Sequence, residues 1–243
     1  MDLRISVLAD RPDLQELLED WESPWPEFMT HDPIGNMYYA LSDLFAEYIL
    51  VAQDDSQRVV AKAFSVPFAF DGDELPIDGW DGAIRRGLRA KLAGETPNMI
   101  SAIEIVVRKG LQGTGISPLM VAAMRSNAAR LGFSELVAPV RPNGKKDPDL
   151  PMEVYAFQTR EDGLPVDPWL RVHVRAGGQI DKVATRSMVI PGTLAEWREW
   201  TGLPFDKSGP VHVPFALAPV MCDVDHDHAV YVEPNVWVRH KIV

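Results

Sequence analysis

The sequence predicts a mixed α/β domain, on three observations. Ala102-Ile103-Glu104-Ile105-Val106-Val107 is a short apolar run that reads as a buried strand, and the glycine turn Gln112-Gly113-Thr114-Gly115-Ile116-Ser117 and a helical composition from Pro118 to Leu131 follow it. A first strand, two helical patterns and a hairpin precede that run. Of the 243 residues 46% are hydrophobic, ample for a sizeable core, and every apolar run is far shorter than a membrane span.

Leu3-Arg4-Ile5-Ser6-Val7-Leu8 alternates as a first strand does. Asp10 is placed to cap a helix running through Trp21, with Leu14, Leu17, Leu18 and Trp21 along one face. The stretch from Trp25-Pro26 to Pro33 reads as a loop. Asn36 to Glu47 carries a second helical pattern, with Met37, Leu41, Leu44 and Phe45 on one side. Tyr48 to Gln53 and Arg58 to Phe70 form a hairpin through Asp54-Asp55-Ser56, and Pro67 suits an edge position.

Residues 71–98 look inserted, and Trp80 to Leu92 reads as a basic helix, either solvated or forming a rim. After the glycine turn come Leu119 to Leu131, Gly132-Phe133, the strand Leu136-Val137-Ala138-Pro139-Val140 and then Asn143. A second insertion, 144–168, is rich in proline, with Met152 to Phe157 as a single turn. Asp167-Pro168 starts a helix that Gly177-Gly178 ends. Gln179 to Ile190 is a strand and Thr193 to Trp200 a helix; from Val211 the chain is proline-broken β.

A strand, a glycine turn and a helix start together make an anion site, because amides freed at the helix N-terminus point outward and the helix dipole favours negative charge. Gly113 and Gly115 let a phosphate approach the backbone closely. A Walker loop is excluded, since no Gly-Lys-Ser or Gly-Lys-Thr follows. A G-x-G-x-x-G dinucleotide fingerprint also fails, because Pro118 stands where its last glycine belongs.

The segment from Val107 to Ser117 resembles the acyl-CoA loop, [RQ]-x-x-G-x-[GA], of the GNAT superfamily of N-acyltransferases. Gln112 and Gly115 match it, Ser117 replaces the usual Gly or Ala, and Pro118 removes one N–H donor. The likeness is strongest over residues 99–143. It implies a mostly antiparallel sheet, flanked by helices and split between its fourth and fifth strands, where acyl-CoA enters. It divides the chain into a core, 1–190, with the two insertions, and a β-rich extension, 191–243, packed on that core.

The resemblance also implies chemistry. Acetyl-CoA would donate an acetyl group to a primary amine by direct attack, with no acyl-enzyme. Gln112, Gly113, Thr114, Gly115, Ile116 and Ser117 would hold the pyrophosphate, and the main chain of Ile105, Val106 and Val107 would meet the pantetheine and the oxyanion. Asn143 belongs to the cofactor set. An alkyl ammonium has a pKa near ~10.4, so a base is required, and Glu104 occupies the family's acidic position. A buried unpaired carboxylate costs several kcal/mol, so a structural pairing of Glu104 with a core arginine stays open. His173 stands where the family places a tyrosine that protonates the leaving thiolate, with Tyr155 as a second candidate. Trp25, in the loop that shapes the family's acceptor pocket, is a substrate-binding candidate.

The net charge of −11 disfavours nucleic acid as a partner and would attract a cationic amine. Basic residues bracket the glycine loop (Arg108, Lys109, Arg125, Arg130, Arg141, Lys145 and Lys146), which suits an anionic cofactor. Cys222 is the only cysteine, which excludes an internal disulfide and fits a reducing cytoplasm. The start of the chain lacks a signal-peptide pattern. The cluster Cys222 to His228 is read as a polar turn, with no metal, because neighbours in one short turn rarely converge on an ion. A homodimer stays open through the hydrophobic tail strands. So does a degenerate domain that only binds acyl-CoA or docks a partner, and so does a different nucleotide binder.

Overall fold

A computed structural model describes residues 3–18 and 25–242. The described residues build one nine-stranded sheet, in the order β1 (Arg4–Val7), β2 (Ile49–Gln53), β3 (Val59–Phe68), β4 (Met99–Val107), β5 (Glu135–Val140), β9 (His228–Lys241), β8 (Val220–Asp223) and β7 (Gly209–Val211). The remaining strand, β6 (Gln179–Thr193), pairs with β9. Every pairing is antiparallel except β4 with β5.

Between β1 and β2 the structure departs from the expected pair of long helices. Residues Leu8–Asp10, Pro12–Leu14 and Glu16–Leu18 form separate 3-10 turns, because Arg11 adopts φ −139° and Pro12 contributes no N–H. Leu14 and Leu18 are buried as the spacing predicts, Leu17 is exposed, and Trp21 lies outside the described residues. The helix α1 spans Pro33–Ala40 and starts at Asp32, whose Oδ1 accepts from the N–H of Ile34 (2.9 Å) and Gly35 (2.7 Å). A 3-10 segment, Ser42–Tyr48, follows it. The expected apolar face is therefore corrected: Met37, Leu41 and Leu44 are exposed, while Tyr38 and Phe45 enter the core.

The helix α2 (Gly79–Ala93) packs against β3 and β6 through Trp80, Ala83, Ile84 and Leu88, so only its basic face is solvated. Pro67 sits near the end of β3, which is an interior strand and not an edge. On the other side of the sheet lie α3 (Ile116–Arg130), the single turn α4 (Met152–Tyr155) and α5 (Pro168–Arg175), whose cap Asp167 accepts from the N–H of Trp169 and Leu170 at 2.9 Å. The helix α6 (Leu194–Thr201) carries a Thr193/Glu196 capping box.

Two cores result, one on each face of the sheet. Phe45, Phe68, Trp197 and Trp237 are fully buried in the first, and a side chain of this kind contributes about 1.5–3 kcal/mol over its exposed state. Met120, Met124, Leu170 and Val238 anchor the second. Residues 191–243 supply β9, which lies between β5 and β6 and buries Val236, Trp237 and Val238 completely. No helix among the described residues is long and apolar enough to cross a membrane.

Candidate active site

The parallel pair β4–β5 holds only at its start, Ile100 opposite Leu136 and Ser101 opposite Val137. Beyond Ser101 the strands part, and the main chain of β4 keeps β3 as a partner but loses β5. A cavity of about 1170 Å³ fills the fork, with Ile105, Val106 and Val107 on one wall and Ala138 to Val140 on the other. The split expected between the fourth and fifth strands is therefore present.

At one end of this cavity lies the glycine loop. Arg108 pins its start by donating N–H to Val60 O (2.9 Å) and Nε–H to Val59 O (3.0 Å). Gly113 and Gly115 adopt φ +77° and +90°, a region closed to most side-chain-bearing residues. Gly115 is the N-cap of α3 and offers no capping side chain. Among the described residues, no intramolecular acceptor takes the N–H groups of Gln112 to Ser117. Those amides are free donors at a positive dipole end, as an anion site requires. Gln112, Gly113, Gly115 and Ser117 line the cavity, and so does Asn143. Ile116 instead packs into the core, and the Thr114 hydroxyl donates to Leu111 O at 2.6 Å.

Of the bracketing basic residues, Arg108, Arg125, Arg130, Arg141 and Lys145 are held by acceptors of the protein itself. Arg125 donates to Ala176 O (2.8 Å) and Lys241 O (3.0 Å), Lys145 to Leu217 O (2.7 Å) and Arg130 to Asn127 Oδ1 (2.9 Å). Arg141 pairs with Glu233 at 2.9 Å. Their clustering in sequence serves the scaffold.

Glu104 lines the same cavity. Phe64 pairs with Glu104 and Ser65 with Ala102, so Ile103 is an extra residue in β4, and this bulge turns Glu104 toward the fork. The freed Ile103 carbonyl accepts from Trp80 Nε1 at 2.9 Å. Glu104 Oε1 accepts from Trp25 Nε1, and Oε2 accepts from the Tyr39 hydroxyl at 3.1 Å. Burial raises the Glu104 pKa above the usual carboxylate value, while the Trp25 bond, the Lys62 charge and the Tyr39 bond pull it down. A half-buried carboxylate of this kind is poised to take a proton.

The cavity wall carries charges of both signs, Glu104 and Asp32 with Lys62 and Arg141. Asp32 is 2% exposed and Asp81 4%, and the two buried carboxyls interact with each other, with no other donor on Asp32 Oδ2 or Asp81 Oδ1. Burial raises Asp32 to about 6, and burial reinforced by the Asp32 charge raises Asp81 to about 8. Glu233 accepts from Arg141, Tyr231 (2.8 Å) and Asn235 (2.8 Å), a fully satisfied buried carboxylate. The Arg141 guanidinium sits 5.9 Å from the Trp25 ring.

His173 lines the cavity but is 4% exposed, with Nδ1 at 3.0 Å from His240 Nε2 and its ring edge-on to Trp169. Burial, and secondarily His240, lowers its pKa to about 3. The imidazolium needed to hand over a proton is then absent near neutral pH, which argues against the expected acid role. Tyr155 lies outside the cavity wall and donates to Asp167 Oδ2 at 3.1 Å. Sequence reasoning missed Tyr39, Asp32 and Asn235 and read Arg141 only as one of the basic residues around the glycine loop; of the three missed, only Asp32 carried a local signal, the Asp-Pro pair at a helix start. No cluster of three His, Cys, Asp or Glu side chains that could hold a metal ion occurs among the described residues.

No protein-family model matches the chain. The chain is 34% identical to arginine N-acetyltransferase avaD of Aspergillus versicolor, over 98% of this chain and 93% of that protein. The chain belongs to the GNAT superfamily of N-acyltransferases. Solved GNAT folds agree. The loading GNATL domain of CurA from Lyngbya majuscula superposes with TM-score 0.61 at 18% identity, covering 99% of this chain and 97% of that one. The GphF GNAT-like decarboxylase, solved with isobutyryl-CoA, gives TM-score 0.58 at 16% identity and covers both chains completely. As a GNAT enzyme the protein is an N-acetyltransferase that draws on an acyl-CoA donor.

Proposed function

We propose that the protein moves the acetyl group of acetyl-CoA directly onto an amine nitrogen of L-arginine or a closely related cationic amine. The supporting observation is that one cavity joins the unpaired amides of 112–117 to Glu104. The carboxylates of Asp32 and Glu104 in its wall offer partners to a cationic acceptor, and avaD is named for arginine.

In this reading the loop amides hold the diphosphate, and Asn143 and the β5-facing main chain of Ile105 to Val107 line the pantetheine arm. Trp25 and Tyr39 hold the Glu104 carboxylate in place. Glu104 takes one proton from the ammonium. The freed nitrogen lone pair attacks the thioester carbon, and main-chain N–H groups of β4 stabilise the oxyanion. The C–S bond then breaks with its electron pair on sulfur. The proton shed by the new amide nitrogen passes to the thiolate, whose pKa of ~8.5 makes a dedicated acid unnecessary. His173 packs against the site in its neutral form.

Thiol release from acetyl-CoA across L-arginine, agmatine, lysine and monoamines tests this. Release that depends on L-arginine or agmatine is expected. Tight coenzyme A binding with no release on any amine would instead favour a binding module.

A further inference from the structure

The connection from β7 to β8, in the segment beyond the usual core, contains one residue that local packing does not explain. Phe215 adopts φ +70°, a region costly for a bulky side chain, and its ring is 78% exposed. Phe205 is the contrasting case: its φ is +42°, but its ring is buried at 1% and packs against Trp197. Phe215 has no such return within the fold.

Its neighbours are fixed instead. Val213, Ala216 and Leu217 are buried, and the Ala216 N–H closes a turn onto Val213 O at 3.1 Å. Leu217 donates N–H to the Tyr231 hydroxyl at 2.7 Å, and Lys145 donates to Leu217 O at 2.7 Å. The Phe215 carbonyl itself accepts from Arg141 Nη2 at 2.6 Å. Arg141 is held by Glu233 and faces the Trp25 ring, and Trp25 donates to Glu104. The strained backbone is thus clamped from both sides, and the one ring left outside lines the same cavity as Glu104.

We propose that Phe215 is the acceptor-side wall of the active site. Its ring covers the bound acceptor and stacks on the planar cationic group of a guanidinium compound. Desolvated, such a ring attracts a cation in addition to excluding water. The assignment rests on the amine-transferase reading and gives the β7–β8 connection a role in acceptor choice.

The test compares wild type with Phe215→Ala, Phe215→Leu and Phe215→Gly, using acetyl-CoA with L-arginine and its uncharged isostere citrulline. Phe215→Ala is expected to raise the arginine KM about tenfold and leave the acetyl-CoA KM unmoved, with Phe215→Leu between the two. Phe215→Gly is expected to raise Tm, because glycine accepts the positive φ, while showing the same loss of arginine affinity. An active wild type whose arginine KM is indifferent to Phe215→Ala overturns the assignment, as does an equal rise in the acetyl-CoA KM. A wild type that releases no thiol with any amine counts against the transferase reading instead. Phe215 is then judged by the L-arginine-induced thermal shift of the coenzyme A-loaded protein: a shift present in wild type and lost in Phe215→Ala supports the wall, and no shift in wild type overturns it.

Discussion

In the proposed reaction the carboxylate of Glu104 is the base, and its surroundings pull its proton affinity in opposite directions. Burial raises its pKa, and the Trp25 bond is the largest of the influences that lower it, ahead of Lys62 and Tyr39. Trp25→Phe removes a donor to Oε1, so Glu104 holds its proton to higher pH. The acidic limb of the kcat/KM profile should therefore move upward in pH, and a limb that stays put would show that Glu104 is not the group titrating. Glu104→Gln keeps the shape and one of the two accepted bonds, on the amide oxygen, but cannot accept a proton. A fall in kcat of about 10²–10³, with the acetyl-CoA KM unchanged, is the expected outcome in steady-state kinetics. His173 gives a contrasting profile. Its folded pKa near 3 lies below the unfolded value, so the neutral ring stabilises the fold above pH ~6.5, and that contribution is lost as pH falls toward 3.

Two elements, the glycine loop with α3 and the meeting of α1 with α2, line the cavity, and the proposed reading gives them the cofactor and the acceptor. A Cβ on Gly115 meets nothing within 4 Å, so Gly115→Ala crowds no protein atom. Its penalty arises from φ +90° and from the phosphate that must approach there, and the acetyl-CoA KM should rise about tenfold while the arginine KM holds. In the second element, Asp32 caps α1 and Asp81 lies in the first turn of α2. Unfolded carboxyls release their protons near ~3.9, whereas the folded pair holds them to about 6 and about 8. The folded chain binds more protons across that window, so the pair's contribution to stability falls as pH rises from about 4 to about 8. Asp32→Asn keeps a capping oxygen and brings an N–H₂ donor for Asp81. It should raise stability at pH 8 by about 1 kcal/mol in urea melts and flatten the pH slope; a destabilised variant would contradict the account. The glycine loop and the Asp167-Pro168 start were legible because each is a local signal. Asp32-Pro33 is the same signal, but the apolar spacing of Met37, Leu41 and Leu44 points to a later helix, and those side chains turn out to be solvated. The hydrogen bonds to Glu104 span 79 residues from Trp25 and 65 from Tyr39, a separation that no local pattern encodes.

Across the whole molecule, the strand that closes the architecture is the last one. Sequence periodicity identified the β-rich tail but not its place, because strand order depends on pairing partners and not on the alternation within a strand. In the sheet, β9 meets β5 from Glu135↔Lys241 to Val140↔Val236 and meets β6 from Gln179↔Arg239 to Thr193↔His228. Val238 lies in the core shared by α3 and α5, and Trp237 lies in the opposite one and donates Nε1–H to Pro76 O at 2.7 Å. The same strand carries Glu233 and Asn235, which fix Arg141 and, through it, the Phe215 carbonyl. Cutting the chain after residue 227 would leave β5, β6 and β8 with open edges and both cores without a wall, a loss far larger than the marginal stability of a domain. Such a chain should show no cooperative thermal transition by circular dichroism and no coenzyme A-induced shift. If a chain ending at 227 still melted cooperatively and bound coenzyme A, residues 191–243 would be an appendage, and the coupling of Arg141, Glu233 and Phe215 to the site would lose its physical basis.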